Sequence, residues 1–154
     1  MEAKTFTSSL FYAYTEIFEN VVGMVLDKGT SMFETLATIT PEVASRPVGK
    51  DCATIAAQVE HVRFYIDVLE KYIKGAPPKD TQWGDIWANI SVVNQAEWDA
   101  TIARLRSSYE RVRTYLESVT EWQGDDDFGG AIAIVVHTAY HLGEIRQATC
   151  TVGD

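Results

Sequence analysis

Histidine and cysteine are scarce in this 154-residue chain, at three and two residues, and its 13 Lys and Arg are outnumbered by 22 Asp and Glu. The net charge of −9 and a pI near 4.7 argue against a nucleic-acid backbone or an anionic membrane surface as partner, because both are polyanions. Two thiols, Cys52 and Cys150, in a chain long enough to build its own core predict reduced cysteines rather than a disulfide framework. No apolar run reaches the roughly 18 residues of a membrane span. The N-terminus, with Glu2 and Lys4, lacks the basic-then-apolar order of a signal peptide. A cytoplasmic address is the expectation. Strand alternation, internal repeats, a Gly-rich phosphate loop and low-complexity tracts are also missing.

What the chain does have is helical periodicity. With 46% hydrophobic residues it can bury one sizeable core, so a single domain over residues 1–154 is expected. Leu10, Tyr14, Ile17 and Val21, then Met32, Leu36 and Ile39, suit helices over about residues 8–20 and 31–39, interrupted around Gly23 and Gly29. Thr40-Pro41 and Arg46-Pro47 end that region in a loop. Asp51 or Thr54 would cap the next helix, which carries Ile55, Val59, Val62, Ile66, Leu69 and Ile73 and stops at the Gly75 to Pro78 breaker. On its wheel, Glu60, Arg63, Asp67, Glu70, Lys71 and Lys74 share one arc while His61 lies with the apolar residues. Residues 79–93, with Trp83 and Trp87, read as loop with a short helical turn. Asn94 and Glu97 form a capping-box pair opening a long helix through Trp98, Leu105, Tyr109, Val112 and Leu116. Residues 123–130 read as a loop whose Asp125, Asp126 and Asp127 lack calcium-loop spacing. The sum is all-α, a four-helix bundle, an architecture that builds metal sites from inward side chains.

The last apolar stretch, residues 129–147, holds His137 and His141. Four apart on a helix, their Cβ atoms lie about 5–6 Å from one another on one face, within reach of one ion. Advancing about 100° per residue puts Glu144 on the same stripe and Arg146 opposite. Apolar residues occupy the rest of the circumference, which predicts a buried helix. H-x-x-x-H alone is a weak signal. All three histidines, however, point toward the core, where an imidazole needs a hydrogen-bond partner or a metal. Three separately satisfied core histidines are the simpler alternative. Two ligands from one helix and one from a neighbour would leave open positions, and only Glu144 offers itself as a fourth protein ligand.

The segments TIAAQVEHVRFYIDVLEKYIKG and HTAYHLGEIRQ resemble the two signature helices of the DinB/YfiT-like family, regarded as metalloenzymes. The resemblance extends over roughly residues 30–149. It implies an up-down-down-up four-helix bundle in which His61, His137 and His141 bind a divalent metal, nickel or zinc. Members with assigned activities include metal-dependent transferases of low-molecular-weight thiols and a thiol-dependent isomerase. A glutamine often stands where this chain has Glu144.

These residues lead to a mononuclear metal-dependent enzyme acting on a small molecule, a hydrolase or, as the resemblance implies, a transferase of low-molecular-weight thiols. Glu144 is its candidate base or a partner that orients a histidine. The alternative for Glu144 is an ion pair with Arg104 or with Arg146 of another subunit. Tyr65 lies about 40° from His61 on its helix, close enough to share the site. The rival reading is a non-catalytic helical binding or stress-response protein with a structural or vestigial metal site. A carboxylate-bridged di-metal site is disfavoured, because no histidine has a glutamate three residues before it. The apolar circumference of the last helix also leads us to expect a homodimer.

Overall fold

The computed structural model describes residues 3–82, 84, 87 and 90–153. Six helices and no strand occur among them: α1 (Ala3–Phe18), α2 (Met32–Leu36), α3 (Pro41–Ala44), α4 (Ile55–Ile73), α5 (Gln95–Ser118) and α6 (Asp125–Val152). An isolated antiparallel bridge joins Pro47 to Thr54. None of the helices is long and apolar enough to cross a membrane.

Local chemistry sets most of these ends. Thr54, not Asp51, caps α4, its hydroxyl accepting from Ala57 N at 3.2 Å. Gly75, at φ 69°, supplies the left-handed turn that follows Lys74. Asn94 and Glu97 make the expected reciprocal box at α5, at 3.0 and 2.8 Å. Two ends differ from the sequence reading. Pro41, expected to close its region, starts α3 instead, because Thr40 caps it and proline suits the first helical position. The expected loop at residues 123–130 belongs largely to α6. Asp127 is not a solvated turn residue: it is buried and accepts from the N–H groups of Gln123 (2.6 Å), Gly124 (3.0 Å) and Phe128 (2.7 Å). Burial would raise its carboxyl, but those N–H groups outweigh it and hold it below the usual value.

The helix α4 packs against both α5 and α6, and α1 packs against the same two. One apolar cluster runs from Leu10 through Ala148 and includes Val62, Ile66, Leu105, Tyr109 and Ile145. Trp98 is fully buried with its indole N–H donating to Ile39 O at 3.0 Å. The charged arc of α4 partly faces α5. Arg111 bridges Asp67 and Glu70, and Arg104 reaches Glu60. Each such pair contributes little to stability, but together they hold the register of α4 on α5.

The α4–α6 seam matters most for function. A Cβ on Gly130 would lie 2.9 Å from Ile73 Cγ2, so glycine is what lets the two backbones approach there. Thr138, His141, Leu142 and Ile145 face inward from α6. The helix is not buried all round, however: Val136 and Tyr140 are each 61% exposed. The two helices packed on α6 leave its outer face to solvent.

A three-histidine centre at the α4–α6 seam

Because α4 and α6 pack closely, His61 meets the His137–His141 pair. His61 Nε2 and His137 Nε2 are 3.0 Å apart, and the ring centroids of His141 lie 4.8 and 4.5 Å from those of His61 and His137. One ring nitrogen from each histidine falls within a common span of 4.8 Å. His141 is buried and the other two are half-buried.

Burial, followed by the proximity of His141, pushes His61 and His137 down to about 4. His141 is lowered by burial as well, with Glu144 opposing the shift. At neutral pH the three rings are therefore uncharged, each with one nitrogen lone pair free to accept a proton or bind a metal.

The surroundings fix ring orientation. Tyr65 stacks on His137, with centroids 3.5 Å apart and planes at 17°, and Trp87 stacks on His61 at 4.3 Å and 24°. Tyr65 thus shares the site chiefly through its ring face on His137. Glu144 Oε2 lies 2.8 Å from His141 Nδ1, a contact that lacks the alignment of a good N–H bond. Glu144 does not pair with Arg104, which is engaged by Glu60. Hydrogen bonding and charge from Glu144 also push the Tyr140 phenol up.

The donor set fits a divalent cation. Two Nε2 atoms facing each other at 3.0 Å can share only one proton between them, and that spacing is close to the roughly 3.3 Å expected of two imidazoles on one tetrahedral zinc. The buried Nδ1 of His61 has no hydrogen-bond partner among the described residues, so nothing fixes its tautomer against ligation. Glu144, the fourth ligand considered from sequence, stands apart from the three-nitrogen group and on the Nδ1 side of His141. No described carboxylate or thiol closes the set.

A cavity of about 720 Å³ opens beside the histidines, bounded by His141, Glu144, Trp87, Tyr140, Gln58 and Cys52 among others. Sequence reasoning did not single out Gln58, and it read Trp87 only as part of a loop with a short helical turn. Gln58 sits one helical turn before His61, a spacing that could have flagged it. The expectation at Trp83 lies outside the described residues. Cys52 and Cys150 are both free and exposed.

Fold and site together define an all-helical protein with a compact cluster of three histidines able to hold a metal ion. A family model for the DinB superfamily matches residues 26–145, and the chain belongs to that superfamily. No curated protein and no solved structure matches it.

Proposed function

We propose that His61, His137 and His141 bind one divalent metal ion, nickel or zinc, and that the protein is a metal-dependent enzyme acting on a small molecule in the adjoining cavity, as a low-molecular-weight thiol transferase or a hydrolase. The observation that supports this reading is the meeting of three neutral imidazoles from two helices with no fourth ligand among the described residues, which suits an open catalytic position better than a closed structural one.

A bound divalent ion supplies Lewis acidity toward water, a carbonyl or a thiol. The rest of the chemistry belongs to the chain. Glu144, 2.8 Å from His141 Nδ1, would orient that ring by accepting its N–H and, standing in the cavity wall, would accept the proton of a nucleophile entering there. Trp87 and Tyr65 cover two imidazole faces and hold those rings in orientation. Cys52, also in the wall, lies outside the three-nitrogen group and takes no part in this scheme.

Metal analysis of the purified protein beside His137→Ala tests the proposal. One equivalent of metal in the parent and its loss in the variant are expected; unchanged metal content in the variant would refute the ligand assignment. Chelation separates enzyme from metal-stapled bundle: a catalytic ion leaves the melting temperature nearly unchanged, whereas a structural one lowers it sharply.

The proposal extends to topology and assembly. The four long helices would follow the up-down-down-up order, and Val136 and Tyr140, exposed four apart on α6, would be covered by a second copy of the chain. Sedimentation at micromolar concentration should show a dimer, and a monomer there would remove that part.

A further inference from the structure

The wall of the cavity beside His141 has an electrostatic bias. Its one formally charged group is the Glu144 carboxylate, and no Lys or Arg borders it among the described residues. The Glu144 side chain keeps 39% of its surface exposed, so contact with His141 does not use up its acceptor capacity. A carboxylate has about four lone-pair sites.

Gln58 also borders this wall, with its amide oxygen almost wholly covered. The residue is buried, yet its Oε1 receives no hydrogen bond among the described residues. A buried amide oxygen left without a donor is unfavourable, and a ligand N–H supplies what is missing. The rest of the wall is largely apolar, with Val48, Ala53, Ala148 and the indole of Trp87. The aromatic face attracts a cation as readily as an apolar group.

We propose that this cavity selects substrates by an apolar body carrying a protonated amine, held between the Glu144 carboxylate and the Gln58 amide oxygen, and discriminates against anionic groups of the same shape. The inference rests on the reading of this cavity as the substrate site. It adds the recognised chemistry: Gln58 and Glu144, which border the same cavity as His141, determine specificity. An anion would meet Glu144 with like charge and would leave Gln58 Oε1 unsatisfied, which are two repulsive elements against the wrong ligand.

Three probes of one skeleton test this: phenethylamine, phenethyl alcohol and hydrocinnamate. They are titrated into the full-length protein at pH 7, as isolated and after chelation, with tryptophan fluorescence and calorimetry as readouts. Chelation matters because a carboxylate probe could bind a metal directly. In the chelated protein phenethylamine should bind at least tenfold tighter than hydrocinnamate, with the alcohol between them. Glu144→Gln should reduce that ratio to about threefold or less, and Gln58→Leu should weaken the amine more than the alcohol. Circular dichroism checks that both variants fold, and Gln58→Glu, which keeps an acceptor, should retain amine binding if Gln58→Leu does not fold. In the chelated protein, equal affinity for amine and carboxylate, a preference for the carboxylate, no binding by any probe, or an unchanged ratio in Glu144→Gln overturns the inference. None of these outcomes depends on metal content, so the absence of metal in the purified protein would defeat the proposed metalloenzyme while leaving this selectivity to be read.

Discussion

His61 Nε2 and His137 Nε2 face each other at 3.0 Å although 76 positions separate them in the chain. Two imidazoles can hold that approach by sharing a proton or a cation, and burial keeps both neutral at physiological pH. The seam between α4 and α6 is therefore the most chemically demanding place in the molecule.

The first prediction concerns the pH dependence of the metal-free protein. The folded pKa of His61 and of His137 is about 4, below the roughly 6.5 of an unfolded histidine. The unfolded chain thus takes up protons first as pH falls. The stability that the neutral rings contribute is complete above about pH 6.5 and is lost progressively down to about pH 4. A loss of about 3 kcal/mol or more for the pair is expected, or a fall of roughly 10 °C in melting temperature. Calorimetry in chelator across that range, with the His61→Asn/His137→Asn double variant showing a flatter slope, is the measurement.

Glu144 gives the second. Its oxygen stands 2.8 Å from His141 Nδ1, and removal of such an outer partner typically lowers metal affinity about 10–100-fold. Glu144→Ala should fall in that range and Glu144→Gln should lose less, as competition with a chromogenic chelator would show. Equal affinity in all three proteins would mean that the contact has no influence on ligation.

Glu16 carries the third. This buried carboxylate accepts from the N–H groups of Gly23, Met24, Val25 and Leu26 at 3.0–3.1 Å. Burial would raise its pKa, but the four donors outweigh burial and hold it low. Glu16→Ala leaves those donors without their acceptor and should cost about 2–4 kcal/mol, measured by urea unfolding. Because the folded pKa is depressed, the stability from Glu16 is present above the ordinary carboxyl pKa and disappears as pH falls through the folded value.

A fourth prediction contrasts adjacent glycines in α6. A Cβ at Gly129 meets nothing within 4 Å, whereas one at Gly130 falls 2.9 Å from the buried Ile73 Cγ2. Gly129→Ala should stabilise by up to about 1 kcal/mol through helix propensity. Gly130→Ala should destabilise by about 1–3 kcal/mol because the seam must open. Gly130→Ala should also loosen metal binding, since the same seam brings His61 to its partners. Thermal melts with and without added zinc distinguish the two variants.

Much of the helical structure was legible from local pattern. Thr54, Asn94 with Glu97, and the Gly75 breaker mark helix ends by chemistry confined to a few neighbouring residues, and the structure places those ends there. Asp127 was misread because an acidic triplet after glycine looks like a solvated turn. Its carboxylate instead accepts from the N–H groups of Gln123 and Gly124, just ahead of α6, and of Phe128 in its first turn. Glu16 was invisible because its four donors lie seven to ten residues away in an irregular segment that has no periodicity to read. The exposure of Val136 and Tyr140 was misjudged for another reason: composition reports how apolar a helix is, not how many neighbours cover it.

The sequence by itself determined that His137 and His141 share one helix face and that His61 lies off the charged arc of its own helix, because backbone geometry repeats every 3.6 residues whatever surrounds it. Only the tertiary structure decided that His61 meets the other two, that Trp87 and Tyr65 cover them, and that Gln58 and Glu144 border one cavity. Those relationships depend on how far α6 slides and rotates against α4. Side-chain packing at contacts such as Gly130 on Ile73 sets that register between segments far apart in the chain, and no short-range rule specifies it.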